Sequence, residues 1–141
     1  MIYIAGPFFN ERQLMLIKDI EKMLDERGLD YFSPRLEGGV LKDMTPEDRE
    51  QAFADVYYSN VNAIVDCEFV LAVIDDFDAG TMFEIGFAAG IDKTVITLTG
   101  QNYGLNVMLA VPVMHHFSSI YQVGRYLGGE SFTQFEPEVV T

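Results

Sequence analysis

The chain is predicted to fold as an α/β protein, a doubly wound, mostly parallel sheet of five strands with helices on both faces. Three observations carry that reading. Short β-prone apolar runs alternate with longer segments of helical period. The run FVLAVI at residues 69–74 is continuously apolar, as a central strand covered on both faces requires. The 141 residues contain no repeat, low-complexity tract or linker, and 49% of them are hydrophobic, so one domain over 1–141 with its own core is expected.

Taken in order, residues 1–5 form a short strand that ends at the turn Gly6-Pro7. Asn10 reads as an N-cap, with Gln13 at the capping-box position. Leu14, Ile17, Ile20 and Leu24 follow at helical spacing, and Gly28 closes the helix. Residues 29–33 read as a second strand broken by Pro34, followed by a glycine-containing loop over 35–44. Thr45-Pro46-Glu47-Asp48 is a strong helix start, and that helix places Phe53, Val56, Tyr57, Val61 and Ile64 on one face. After the central strand come a helix around Glu84, a strand at 94–98, a polar loop through Asn102 and Gly104, a strand at 111–113, and a helix carrying Ile120, Val123 and Leu127. His115 and His116 fall at a strand end. The architecture is flavodoxin-like or Rossmann-like, with right-handed crossovers.

The composition excludes several classes. A net charge of −13 argues against a nucleic-acid polymer or an anionic membrane as partner, since both require clustered Lys and Arg. The single cysteine, Cys67, forms no internal disulfide and reads as a buried, inert thiol. No Cys/His cluster has metal spacing, and no metal is expected. Met1 leads into IYIAG without a basic n-region, and no apolar run has membrane-spanning length, so a cytoplasmic protein is expected. The turn Ala5-Gly6-Pro7-Phe8 is not GxGxxG, and neither a Walker loop nor a GxSxG elbow is present.

Ligands of doubly wound sheets bind outside the carboxyl ends of the strands, which selects residues 6–10, 33–38, 75–81 and 99–108. Glu84, one helical turn past the third of these segments, is the only charged residue over 79–91. A carboxylate among Met82, Phe83, Ile85 and Phe87 is expensive to bury and prone to a shifted pKa, as a catalytic group requires. A solvent-facing glutamate in a first helical turn is the alternative. Asp75, Asp76 and Asp78 end the most apolar strand, where they either drive carboxylate pKa values apart for glycosyl transfer or solvate a turn and cap the next helix. Tyr3, on the first strand, is placed to hydrogen-bond a crevice carboxylate or to pack in the core.

IYIAGPFF, DDFDAGTMFEIGFAAG and the later NVM together resemble the nucleoside 2-deoxyribosyltransferases, in order and over nearly the whole chain. In the pattern D-x-G-x-x-x-E-x-G the resemblance makes Glu84 the nucleophile. It implies that Tyr3 holds and tunes Glu84, and that Asp78 helps bind the nucleoside beside Gly6 and Phe8 of the first loop. It also implies that Asn106 and Met108 reach a neighbouring subunit's site, with Asn106 on the sugar 5′-hydroxyl. The implied substrates are 2′-deoxynucleosides and free purine or pyrimidine bases. The implied assembly is a homo-oligomer, commonly a hexamer built from dimers, without a cofactor. The chain departs from the pattern where it reads Ser59-Asn60-Val61, since many relatives carry a base-contacting aspartate there. Asn60 can hydrogen-bond a base but cannot deliver a proton.

Two other functions fit the same scaffold. An N-glycosidase acting on 2′-deoxynucleoside 5′-monophosphates would need a phosphate cradle, for which Arg12 and Arg35 are the only basic candidates near the crevice. A non-catalytic nucleotide sensor would not need Tyr3, Asp78, Glu84 and Asn106 together.

Overall fold

The computed structural model describes residues 1–38, 44–102 and 104–141. Its elements are β1 (Ile2–Ala5), α1 (Glu11–Glu26), β2 (Tyr31–Phe32), α2 (Pro34–Glu37), α3 (Pro46–Asp66), β3 (Phe69–Val73), α4 (Ala79–Gly90), β4 (Thr94–Leu98), β5 (Leu105–Asn106), α5 (Val107–Ala110), β6 (His115–Phe117), α6 (Ile120–Leu127) and β7 (Val139–Val140). Five strands form one parallel sheet in the order β2-β1-β3-β4-β6. This is the flavodoxin-like order, whose switch point lies between β1 and β3.

Side-chain alternation along the strands divides the core into two layers. Tyr3, Ala5, Val70, Ala72 and Val95 face Ala63 and Ile64 of α3 and Ile85 and Ala88 of α4. Ile2, Ile4, Leu71, Val73, Ile96 and Leu98 face Ile17, Ile20 and Leu24 of α1 and Val123 of α6. The helices therefore cover both faces, and the sequence reading of the fold holds.

The helix ends follow their capping chemistry. Asn10 Oδ1 accepts the Gln13 N–H at 2.9 Å. Gly28, at φ 66°, closes α1 in a Schellman arrangement, with Leu29 N–H on the Leu24 carbonyl and Gly28 N–H on that of Asp25. Gln13 differs from the expected capping box in that its Oε1 accepts from Phe9 N–H at 3.0 Å, one residue before the cap. The side chain thereby anchors the loop after β1.

Several boundaries need correction. The second strand is only Tyr31–Phe32, paired with Ile2 and Tyr3, because Pro34 has no N–H for a ladder and turns the chain into a helix. Pro34 does not merely end that strand; it opens α2 at the position where its missing N–H has no role. The rest of the expected 35–44 loop lies partly outside the described residues. The last sheet strand is His115–Phe117 rather than 111–113, since Pro112 has no N–H for a ladder and Ile96 pairs with His115. On α3 the expected apolar face is buried at Ile64, while Phe53 and Tyr57 remain exposed. β5, within the polar loop, pairs with β7 of the tail, aligning Asn106 with Val140.

Between β3 and α4 the chain passes through two consecutive left-handed residues, Asp76 at φ 62° and Phe77 at φ 46°. Such strain persists only where the surroundings over-determine it. Here Asp75, 1% exposed, accepts from Thr99 Oγ1 (2.8 Å), Gly100 N (2.9 Å) and Arg12 Nη1 (2.9 Å). Asp76 accepts from Arg12, Gln13 and Gln101, and its own N–H donates to Gln101 Oε1. These two aspartates tie together the loops after β1, β3 and β4. Asp75→Ala orphans the Gly100 N–H and half of the Arg12 fork and leaves the Thr99 hydroxyl only the Gln101 carbonyl, so equilibrium urea unfolding is expected to show a loss of about 3 kcal/mol.

Candidate active site

The carboxyl ends of β1 and β3 open onto a cavity of about 390 Å³, within the range of small-ligand sites. One wall is the loop after β1, with Gly6, Phe8 and Phe9; another is the start of α2, with Pro34 and Arg35. Val56 and Asn60 come from α3, and Asp78, Gly80, Thr81 and Glu84 from the start of α4. A smaller hollow of about 270 Å³ shares Asn60, Gly80 and Glu84 and adds Tyr57, Val61, Ile64 and Phe83. Glu84 thus borders both spaces between α3 and α4.

Gly6 is a glycine because the backbone there passes close to two core residues. A Cβ would lie 2.9 Å from Ile17 Cδ1 and 3.0 Å from Val73 Cβ. Phe8 and Phe9 stack with ring centroids 5.4 Å apart, giving the loop a flat aromatic surface. Asp78 is the N-cap of α4, where Oδ2 accepts from Thr81 N–H at 2.9 Å and from Thr81 Oγ1 at 3.0 Å. This capping presents the helix that carries Glu84 to the crevice. Of the three strand-end aspartates, Asp75 and Asp76 serve the turn and only Asp78 borders the cavity.

Tyr3 lies beneath this cavity, fully buried and stacked on Phe32 with centroids 5.6 Å apart. Its hydroxyl and Glu84 Oε2 are both buried, and neither completes a hydrogen bond of ordinary geometry. They are nevertheless close enough for each to alter the other's titration. Burial pushes the Glu84 carboxyl up to about 7, against the Tyr3 hydroxyl, which favours the anion; the negative charge of Asp78 adds to the upward push. The Tyr3 phenol is held well above its usual value, first by burial and then by Glu84. Tyr3 therefore remains a neutral donor, facing a carboxyl group that titrates near neutrality.

The expected site residues divide into two groups. Gly6, Phe8, Asn60, Asp78 and Glu84 border one cavity, with Tyr3 below it. Asn106 and Met108 do not join them. Asn106 caps α5 through Oδ1 on Met108 N–H at 2.9 Å, and Met108 is 77% exposed. Both border a separate apolar cavity of about 710 Å³, with Phe77, Met82 and Val140.

Arg35, with Arg12 one of the two basic candidates for a phosphate cradle under the N-glycosidase alternative, is bound to Glu21. Its Nε donates to Glu21 Oε1 at 2.9 Å and its Nη2 to Oε2, while Ser33 Oγ donates to the same Oε1 at 2.6 Å. Arg12 is likewise bound, to Asp75 and Asp76. Arg35 was a candidate because it is basic and near the predicted crevice; its buried counter-ion on α1 has no local signature in the sequence. Cys67 is buried, with Sγ 3.1 Å from the Ile64 carbonyl, and burial raises its thiol pKa. Among the described residues no group of three or more His, Cys, Asp or Glu side chains is placed to hold a metal. Among them also, no helix is long and apolar enough to cross a membrane.

Fold and crevice together define an α/β protein with a desolvated carboxyl group on a cavity of small-ligand size. The family model for nucleoside 2-deoxyribosyltransferase matches residues 2–118, and the chain belongs to that enzyme family. Comparison with curated proteins gave no match. Among solved structures the chain is similar to a 2-deoxyribosyltransferase of Bacillus psychrosaccharolyticus, at TM-score 0.82 and 24% identity over 96% of this chain and 98% of that one. It is also similar to a CMP N-glycosidase of Clostridium botulinum, at TM-score 0.58 and 18% identity over 90% and 97%. A conserved protein of Enterococcus faecalis V583 matches at TM-score 0.56 and 21% identity over 99% and 89%. At these identities the structural likenesses establish the fold.

The raised pKa of Glu84 has a stability consequence. Its folded-state value lies above the ordinary 4.5, so the protonated form is the one the fold favours. The penalty is absent below about pH 4.5, grows as pH rises towards 7, and then levels off at up to roughly 3 kcal/mol. Glu84→Gln is expected to raise Tm at pH 8, with the gain shrinking towards zero near pH 4.5 in paired thermal melts.

Proposed function

We propose that this protein transfers 2-deoxyribose between nucleobases through a covalent glycosyl-enzyme on Glu84. The ionised Glu84 carboxylate attacks C1′ of a 2′-deoxynucleoside, and the C1′–N bond breaks with its electron pair passing to the base. A second base then brings a ring-nitrogen lone pair to C1′ from the vacated face. The C1′–carboxylate bond breaks, the carboxylate is restored, and two inversions leave net retention. The incoming nitrogen loses its proton to solvent.

The observation that carries this reading is the desolvated carboxylate of Glu84 over the Tyr3 hydroxyl, inside a cavity of nucleoside size. Burial makes the carboxylate a more reactive nucleophile, and the neutral phenol steadies its charge before attack and as it leaves C1′. Asp78 and Asn60 hold the nucleoside in that cavity. Because Asn60 has no proton to give, the leaving base takes its proton from Asp78, from water, or not at all. Membership of the family supports the sugar and the acceptor.

Hydrolysis of nucleoside 5′-monophosphates is supported less well, since Arg12 and Arg35 are each neutralised by carboxylates. We further propose that Asn106 and Met108 complete the site of a neighbouring subunit in a homo-oligomer. Their distance from Glu84's cavity and the exposure of Met108 and Val111 support that assembly.

Incubation with 2′-deoxyinosine should yield a new 2′-deoxynucleoside only when free cytosine or adenine is added. Release of deoxyribose at the same rate without acceptor would instead mark a hydrolase. Because the nucleophile must be ionised, kcat/KM for the donor should fall as pH drops below about 7. Tyr3→Phe removes the hydroxyl that favours the anion, so this acid limb should move to higher pH; an unmoved limb argues against the Tyr3–Glu84 pairing.

A further inference from the structure

We infer that Arg35 selects the nucleobase, favouring 6-oxopurines over 6-aminopurines, a deepening that rests on the transferase reading. Arg35 borders the same cavity as Glu84, Asp78 and Asn60, and its side chain is 22% exposed. Glu21, on α1 and 5% exposed, takes one edge of the guanidinium through Nε and Nη2, and Ser33 Oγ braces that carboxylate. Two consequences follow. The guanidinium plane is fixed before any ligand arrives, because a bidentate pair with a buried carboxylate leaves little rotational freedom. Its positive charge is also offset, so the group acts as a hydrogen-bond donor and not as an anchor for phosphate.

The unused edge of the guanidinium is the Nη1–Nη2 fork. Among the described residues Nη1 has no hydrogen-bond partner, so this edge carries donors and no acceptor. Two adjacent acceptors match it, and a 6-oxopurine offers them as O6 and N7. Adenine offers N7 beside an amino group, which sets donor against donor and leaves a guanidinium N–H unpaired. Elsewhere on the wall Phe8, Phe9, Pro34 and Val56 are apolar, Asp78 Oδ2 is engaged by Thr81, and the Asn60 amide carries both a donor and an acceptor that serve either purine.

The test measures nucleoside binding without turnover, in the Glu84→Gln background, by calorimetric titration with 2′-deoxyinosine and 2′-deoxyadenosine. With Arg35 intact, 2′-deoxyinosine is expected to bind at least ~10-fold more tightly. Arg35→Met, which keeps the stem and loses the fork, should bring the two within about twofold. Arg35→Lys keeps the charge and should fail to restore the preference. Equal affinities with Arg35 present, a preference that survives Arg35→Met, or no binding of either nucleoside would each overturn the inference. Sugar transfer by the native chain is assayed separately. Transfer that proceeds without this preference leaves the transferase reading standing, and a preference without transfer removes that reading alone.

Discussion

The burial of one carboxyl group against one phenol organises this molecule. Tyr3 is the second residue of β1, and Glu84 comes from α4, so their meeting requires β1 and β3 to be adjacent and α4 to pack on the sheet face that Tyr3 presents. The two groups arrive with little else to satisfy them. The carboxyl therefore titrates near neutrality and the phenol does not titrate in the usual range. A fold optimised for stability alone would place an apolar residue at position 84. The retained penalty is the kind of local conflict expected where chemistry is done.

The surrounding polar structure holds that pair in place. Two consecutive left-handed residues turn β3 into α4, and they are held by Asp75 and Asp76 with donors from Arg12, Gln13, Thr99, Gly100 and Gln101. Gln13 bonds both Phe9 N–H and Asp76, so the aromatic wall of the cavity and the turn before Asp78 move as one unit. Hydrogen bonds from Gln13 and Gln101, with the charge of Arg12, keep Asp76 below the usual carboxylate range, so this brace is ionised at neutral pH. On the far side of the cavity, Glu21 holds Arg35 in place through two hydrogen bonds.

Much of this was legible in the residues because it depends on local chemistry. FVLAVI declared a strand covered on both faces, and Gly28 declared a helix end. Gly6 and the isolated charge at Glu84 marked the crevice. The remainder depends on distant partners. Asp75 and Asp76 resemble catalytic carboxylates in sequence, and only Arg12, more than sixty positions away, reveals them as a brace. Arg35 stood as a basic candidate for phosphate under the alternative reading, and its partner Glu21 lies on another element, out of reach of any local pattern. The last strand was misplaced because Val111 and Val113 are β-prone while Pro112 between them cannot join a ladder. His116 holds its place through a side-chain contact with Thr97 that no periodicity foretells.

The direct test of the account is the site of covalent attachment. The native chain would be mixed with a 2′-deoxynucleoside in the absence of acceptor base, quenched in acid within a turnover, digested and read by tandem mass spectrometry. The account predicts a single deoxyribosyl group esterified to Glu84, lost when an acceptor base is added before the quench. A deoxyribosyl group on Asp78 or another side chain, or turnover with no enzyme-bound sugar at any time, would contradict it.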